Sequence, residues 1–328
     1  MNAAEGPIAL SAEELAILDF TGDLHAEEES PLAAVLAVAE DAMLEEGARK
    51  LVARGLAEKV TLRPQRELSR RLLAVAQPDA RVVLMERDGK STRRAVEYYE
   101  RAGAFVPYTM RDGLHVLGTP VDFDEVLRTV LARLPTRASR GDFVDFTVSA
   151  SEYFALSLFA GETVRAARSE SLASHRDRSR VRVEGEEPST ARDAQPLRID
   201  DDEGTPIGQL FRQLPAVPRG RTWDETVRAL LAKDVIAPEG DGYRLRPYLR
   251  DLALALGTKH RTVLTRLDFG ADDWIVRDAT LIPVPGSLFV VRAIEPDVIR
   301  IAELTAGDLE ITARYAIEPA IPLETFAS

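Results

Sequence analysis

The chain has 328 residues, of which 45% are hydrophobic and 29% charged, a composition typical of soluble globular proteins. It has no cysteine, which excludes disulfides, cysteine nucleophiles and thiolate metal sites and fits a reducing cytoplasm. The net charge of −12 disfavours nucleic acid as a partner, because phosphate binding needs basic patches. The first 14 residues contain no basic side chain, so no signal peptide is expected. The longest apolar run, Leu32–Ala39, is too short to span a bilayer, which argues against a membrane partner.

Each half of the chain is predicted to open with a short strand and a capped helix. In a capping box, a hydroxyl and a carboxylate three residues later satisfy free backbone N–H groups at the helix start. The strands are Pro7–Leu10 and Asp142–Val148, and the boxes of the two opening helices pair Ser11 with Glu14 and Ser149 with Glu152. Another box, Thr222 with Glu225, starts a later helix of the second half.

Further helices follow the opening unit in both halves. Ser30-Pro31 fits an N-cap and first turn of a helix that ends near Arg54-Gly55. Another helix is predicted near Gln65–Ala76, and its counterpart in the second half near Pro247–Leu256.

A run of antiparallel strands comes next, with hairpin turns at Asp88-Gly89 and Asp112-Gly113. A closing helix is expected in each half, with Thr119 and Thr305 as N-caps. Strands followed by helices in this order predict an α+β fold. The strands are 81–87, 94–101, 104–110 and 114–118, then 261–268, 274–279, 288–293 and 298–302, and the closing helices are 122–134 and 308–315.

Five short segments recur in the same order, which predicts a twofold internal repeat packed around a central sheet. The first half is placed at 7–135 and the second at 142–316, with a tail at 317–328. The two halves are expected to form one pseudo-twofold domain. The echoes are Ile8-Ala-Leu-Ser-Ala-Glu-Glu-Leu with Phe146-Thr-Val-Ser-Ala-Ser-Glu-Tyr, Leu51-Val-Ala-Arg-Gly-Leu with Leu230-Leu-Ala-Lys-Asp-Val, Leu62-Arg-Pro with Leu245-Arg-Pro, Arg81-Val-Val-Leu with Arg261-Thr-Val-Leu, and Thr119-Pro-Val-Asp with Thr305-Ala-Gly-Asp.

One segment of the second half, 162–206, belongs to neither repeat. It has no aromatic residue, and it is rich in Arg and Ser before it becomes acidic. Such a stretch buries too little apolar surface to offset its ordering entropy, which predicts a disordered insertion. The alternative is a surface loop ordered by its own opposite charges or by a partner.

No motif in the chain predicts a catalytic residue, a metal site or a bound cofactor. The four histidines are scattered and lack a metal-ligand spacing. Gly89-Lys-Ser-Thr matches the end of a phosphate-binding loop, but Leu84 stands where that loop needs its first glycine. The chain is therefore predicted not to be an enzyme.

Two features leave alternative binding functions open. Arg66, Arg70 and Arg71 lie on one predicted helix, a layout similar to a winged-helix DNA-binding regulator. Neighbouring large residues in strands, such as Tyr98-Tyr99 and Leu288-Phe289, must point to opposite faces of a sheet. Either helices cover both faces, which is the favoured interpretation, or one face is a binding surface.

The order of elements resembles the EspG family, the type VII secretion-associated chaperones of actinobacteria. The resemblance runs through 7–135 and 142–315, and it implies a two-fold repeated fold with a central sheet surrounded by helices. The residues that carry it are Ile8-Ala-Leu-Ser-Ala-Glu-Glu-Leu, Leu51-Val-Ala-Arg-Gly-Leu, Leu73-Ala-Val-Ala-Gln-Pro-Asp-Ala-Arg-Val-Val-Leu and Phe146-Thr-Val-Ser-Ala-Ser-Glu-Tyr.

The resemblance implies a non-enzymatic cytoplasmic chaperone that holds secreted PE–PPE heterodimers, or a similar helical client, soluble for export. An orphan interaction protein with the same fold is the alternative. The family's partner surface includes the loop between the second and third strands and a helical bundle in the second half. That loop is much shorter here than is common in the family, and the 162–206 insertion is a further departure. The loop's residues here are Arg87, Asp88, Gly89, Lys90, Ser91, Thr92 and Arg93.

Overall fold

The structure is a computed structural model, and not every residue of the chain is described. The predicted insertion at 162–206, the Thr222 cap and most of the tail lie outside the described residues. The described ranges are 6–22, 26–27, 30–36, 41–88, 91–134, 144–161, 223–240, 242–258, 260–270, 274–295 and 298–319.

Ten strands of the described chain form one antiparallel sheet, in the order β1-β5-β4-β3-β2-β9-β10-β11-β12-β6. The predicted α+β class is confirmed, and every predicted strand is present. A hairpin of β7 and β8, which was not predicted, forms a separate small sheet. The strands are β1 (Ile8–Leu10), β2 (Ala80–Asp88), β3 (Ser91–Arg101), β4 (Ala104–Arg111), β5 (Leu114–Leu117), β6 (Asp145–Ser149), β7 (Ile236–Glu239), β8 (Gly242–Leu245), β9 (His260–Phe269), β10 (Trp274–Val284), β11 (Ser287–Glu295) and β12 (Val298–Glu303).

The two halves meet at the antiparallel pair of β2 and β9 in the middle of the sheet. Leu84 pairs with Leu264, and both leucines are fully buried. These two residues are also counterparts in the echo of Arg81-Val-Val-Leu with Arg261-Thr-Val-Leu. Outward from this pair, the strands of the first half follow in the order β2, β3, β4, β5 and β1. Those of the second half follow in the equivalent order β9, β10, β11, β12 and β6. The bounds 7–135 and 142–316 for the halves stay a prediction.

Helices cover both faces of the sheet. Tyr99 and Phe289 pack under the helices of the first and second half, whereas Tyr98 and Leu288 face α5 and α9. All four side chains are buried, which confirms the interpretation that both faces are covered at these positions. The helices are α1 (Ala12–Gly22), α2 (Ala33–Leu36), α3 (Asp41–Ala53), α4 (Arg66–Ala76), α5 (Phe123–Leu131), α6 (residues 150–161), α7 (Trp223–Ala232), α8 (Arg250–Gly257) after a 3-10 turn (Pro247–Leu249), and α9 (Ala306–Ile317).

The predicted capping boxes of both opening helices are present. Ser11 N–H donates to Glu14 Oε2 at 2.9 Å, and Ser149 N–H donates to Glu152 Oε2 at 2.7 Å. Each capping glutamate also forms an ion pair with the end of a later helix. Arg54 lies 2.6 Å from Glu14, and Lys233 lies 2.6 Å from Glu152.

The two helices that precede these basic residues end with the same hydrogen-bond pattern. Leu56 N–H donates to the Leu51 carbonyl at 2.9 Å, and Val235 N–H donates to the Leu230 carbonyl at 3.1 Å. The residue before each donor, Gly55 or Asp234, has a positive φ, as a Schellman motif requires. The echo of Leu51-Val-Ala-Arg-Gly-Leu with Leu230-Leu-Ala-Lys-Asp-Val is thus a repeated helix stop.

The prediction that Thr119 caps the closing helix of the first half is wrong. Asp122 is the N-cap of α5, and its side chain accepts from Glu125 N–H at 2.9 Å. The backbone of Val121 exchanges two hydrogen bonds with Phe105, so the chain stays extended through that residue. The Thr305 cap of α9 is confirmed, with a complete capping box to Asp308.

Gly47→Ala is expected to destabilise the protein, although alanine favours helix over glycine by about 1 kcal/mol. A Cβ at Gly47 would lie 2.0 Å from the carbonyl oxygen of Glu13, so α1 and α3 would have to separate. We expect a loss of about 1–3 kcal/mol in the free energy of unfolding, measured by urea denaturation.

Gly55→Ala is the matched control, because a Cβ there meets nothing within 4 Å. Its expected cost is about 1 kcal/mol, which arises from the φ of 65° alone. A gain in stability for Gly47→Ala would contradict the close approach of α1 and α3.

Candidate functional site

The loop predicted to bind a partner is the tight hairpin between β2 and β3. Arg87 pairs with Thr92 and Asp88 pairs with Ser91, so only two residues connect the strands. The turn therefore starts one residue later than predicted, because Asp88 belongs to β2. Gly89 and Lys90 lie outside the described residues. Arg93 is in β3 and exposed.

The hairpin is held on its other side by β9. Arg87 pairs with Arg261, and Asp88 pairs with His260. On β3 the side chains of residues 91–94 are all exposed. This end of the sheet is thus a surface of three paired strands, and it carries several arginines in a chain whose net charge is negative.

A buried carboxylate holds β3 in place behind the hairpin. Glu97 is buried and accepts from the Tyr99 hydroxyl at 2.7 Å. Arg81 approaches the same carboxylate at 2.5 Å, and Arg94 at 3.3 Å. Burial, followed by the charge of Glu97, raises the pKa of Tyr99, so its hydroxyl stays protonated and donates. A carboxylate with these partners is positioned to orient β3.

A second buried polar pair lies on β4 and β5. The Tyr108 hydroxyl is 2.9 Å from His115 Nδ1, and both side chains are buried. Burial lowers the pKa of His115, so the imidazole is neutral, and burial raises the pKa of Tyr108 to about 12. Tyr108 also packs edge-on against Tyr99 at 5.6 Å between ring centroids. This pair supports the core of the first half.

A row of four buried side chains crosses the central strands on one face. Strand pairing places Glu97 beside Val83, Val83 beside Thr265, and Thr265 beside Asp278. The carboxylates at the two ends of the row differ in their polar contacts. Glu97 has a tyrosine hydroxyl and two arginines beside it, whereas Asp278 Oδ2 has no hydrogen-bond partner. Thr265 Oγ1 also lacks a hydrogen-bond partner. Burial raises the pKa of Asp278 to about 7.

The basic helix behind the DNA-binding alternative does not present all its arginines to solvent. Arg71 is fully buried in α4, 3.0 Å from Glu67, and donates to the Gly6 carbonyl at 2.7 Å. Arg66 and Arg70 are exposed. The inclusion of Arg71 in a phosphate-binding surface is therefore wrong, because it anchors the segment before β1.

Within the described part of the chain, no group of three or more His, Asp or Glu side chains is placed to hold a metal ion. In the same residues, no helix is long and apolar enough to cross a membrane.

Comparison with solved structures shows the fold. The chain is similar to the Mycobacterium tuberculosis type VII secretion system chaperone EspG5, solved in complex with a PE25–PPE41 dimer. The match has a TM-score of 0.50 at 10% sequence identity, and it covers 94% of this chain and 95% of that chain. No protein-family model matches the sequence, and no curated protein matches it. The predicted EspG-like fold is thus confirmed, and at this identity the likeness concerns the fold alone.

The buried Asp278 predicts that stability falls as the pH rises from about 4 to about 7. Its pKa is 3.8 when exposed and about 7 in the folded chain, so in that window the folded state holds a proton that the unfolded state has lost. Asp278→Asn should remove this slope and stabilise the protein above pH 7, by roughly 4 kcal/mol at most. Urea unfolding between pH 5 and pH 8.5 measures both effects.

Asp268→Asn is the matched control on the neighbouring strand. Asp268 accepts from Arg266 at 2.7 Å and from Arg277 at 3.1 Å, so its loss should destabilise the protein at every pH. An Asp278→Asn protein that keeps the wild-type slope would show that another group produces it.

Proposed function

We propose that this chain is a non-enzymatic cytoplasmic chaperone or adaptor that binds a secreted PE–PPE-type heterodimer and keeps it soluble for type VII export. The observation that carries the proposal is the full-length likeness to EspG5, whose solved structure contains a PE25–PPE41 dimer. The likeness extends over 94% of this chain and 95% of that chain, so it is not confined to one part of either protein.

The surface we propose for the client is the β2–β3 hairpin with residues 87–93. Two properties support this choice. The side chains of residues 91–94 are exposed, and the strands beneath them are fixed by pairing with β9 and by the ion pairs of Glu97. Rigid elements with exposed side chains lose little conformational entropy on binding, which favours affinity.

Co-expression of the chain with a PE–PPE pair encoded in the same genome tests the function. We expect a stable complex of one copy of each of the three chains, measured by size-exclusion chromatography with light scattering. The client should precipitate when it is expressed without this chain. A client that is equally soluble alone, and that elutes separately from a folded bait, would contradict the proposal.

Arg93→Glu is expected to weaken client binding at least about tenfold, which corresponds to roughly 1.4 kcal/mol. The change reverses the charge of one exposed side chain on the hairpin. Isothermal titration calorimetry with the purified heterodimer measures the affinity.

Arg133→Glu provides the matched control, because Arg133 is also exposed but lies after α5, outside the hairpin. Equal affinities for the two variants would rule out the hairpin as the contact while leaving the chaperone function standing.

A further inference from the structure

The outer surface of the α9 face carries large apolar side chains that the core does not use. Ile311 and Tyr315 lie one turn apart on α9, and they are 68% and 46% exposed. Ile275 on β10 is 53% exposed, and Ile294 at the end of β11 is 40% exposed. We call these four residues, together with Arg292, the α9 patch.

Tyr315 on α9 contacts an arginine on each of the neighbouring strands β10 and β11. The guanidinium of Arg292 lies 4.6 Å from the centre of the Tyr315 ring. Arg277 on β10 donates to the Tyr315 carbonyl at 3.3 Å. Residues two apart in a strand point to the same face of the sheet. Ile275 therefore lies on the same face of β10 as Arg277, and Ile294 follows Arg292 by two residues on β11. The patch therefore joins one helix to two neighbouring strands.

Arg292 is a cation without a carboxylate partner among the described residues. The nearest candidate, Asp145, is engaged by Arg300 through two hydrogen bonds of 2.8 and 2.6 Å. Arg300 is also the residue paired with Arg292 across β11 and β12, so two arginines stand side by side. Burial and this neighbouring charge lower the pKa of Arg292. The site therefore has a positive charge that a carboxylate from outside would balance.

The corresponding helix of the first half has no such surface. Ile311 and Tyr315 lie six and ten residues after the Thr305 N-cap of α9. The same distances from the Asp122 N-cap of α5 lead to Arg128 and Ala132. The buried stripes of the two helices match at the same offset, since Val126 and Val130 correspond to Leu309 and Ala313. The fold thus does not require apolar side chains at these outer positions.

We propose that the α9 patch is a docking surface for a second protein partner, an amphipathic helix that carries carboxylates beside its apolar face. Ile311 and Tyr315 form an i, i+4 ridge of the kind that packs against a partner helix, and Arg292 supplies the charge complement. The α9 patch and the β2–β3 hairpin are separate surfaces, so the inference does not depend on the proposed function.

A second copy of the chain is the competing occupant. Two copies facing each other through this patch would bring Arg292 and Arg300 of each near those of the other, which opposes association. An acidic helix instead places opposite charges together. Because two copies would repel at this patch and an acidic helix would be attracted to it, we propose the acidic helix as the occupant.

The experiment uses the full chain and a fluorescent designed peptide of Leu, Ala and Glu, with leucines spaced for one apolar face. Fluorescence anisotropy should show saturable binding that weakens with added salt. A scrambled peptide of the same composition should bind at least about tenfold more weakly. Equal binding of the two peptides would overturn the proposal.

The decisive variant is Ile311→Ala with Tyr315→Ala, which removes both apolar side chains and adds no charge to the patch. We expect at least about a tenfold loss of peptide affinity with an unchanged unfolding midpoint, because both side chains are exposed. Unchanged affinity in a folded variant would overturn the proposal. So would a concentration-dependent dimer, seen by sedimentation velocity in the wild type and lost in the variant, since that result assigns the patch to a second copy.

Arg292→Gln tests the charge, and Arg314→Gln is its matched control. Arg314 also lies over an aromatic ring, 5.5 Å from the centre of Phe123, but it has a carboxylate partner in Glu310 at 3.8 Å. We expect the salt dependence of peptide binding to fall for Arg292→Gln and to persist for Arg314→Gln. The same salt dependence in both variants would remove Arg292 from the site.

Discussion

The pairing of β2 with β9 is the constraint on which the rest of the structure depends. It is the one strand pair in the large sheet that joins the first half of the described chain to the second. Without it, each half would end in a strand of nine or ten residues with an unpaired edge, which invites association with other chains. Leu84 and Leu264 meet at the centre of this pair, in a core that also includes Val130 of α5 and Ala313 of α9. The α5 and α9 face is therefore where the halves share one core, whereas the helices on the other face bury two separate ones.

Buried charges reinforce the same join and also fix its register. Arg266 on β9 is almost fully buried, and it reaches Glu100 of the first half at 2.7 Å. Its remaining donors bind Asp268 at 2.7 Å and the Ile317 carbonyl at the end of α9 at 3.1 Å. A buried ion pair adds little net stability, because desolvation offsets the attraction. Breaking it leaves an unpaired buried charge, so a slipped register would be strongly disfavoured. We therefore assign to Arg266 the role of specifying how the halves align.

Local sequence signals predicted most of the fold, because strand alternation, hairpin turns and capping boxes act over a few residues. The Thr119 cap was wrong because Thr119 and Asp122 are both good N-caps, and a nonlocal bridge from Val121 to Phe105 decides between them. The DNA-binding alternative groups Arg71 with Arg66 and Arg70 by charge, although its spacing from Leu68 and Val75 puts it on the buried stripe of α4. The hairpin between β2 and β3 is present with its turn one residue later than predicted, and whether it binds a client stays a proposal.

The buried carboxylates could not be predicted, because their burial depends on distant parts of the chain. Glu97 and Asp278 each stand between apolar or mixed neighbours in a strand, a pattern that an exposed strand face shows equally often. β3 and β10 are the equivalent strands of the two halves, so their residues can be compared at the same distance from the strand start. Glu97 of β3 then corresponds to Thr280 of β10, and Asp278 of β10 corresponds to Ala95 of β3.

The α9 patch also differs between the halves. Arg128 of α5 and Ala132, which follows α5, stand at the same distances from the helix N-cap as Ile311 and Tyr315 of α9. The two halves place their strands in the same order on either side of the β2–β9 pair. The side chains at these positions differ although the strand order does not. It is at these unmatched positions, and not at the repeated caps and helix stops, that selection for a partner would act.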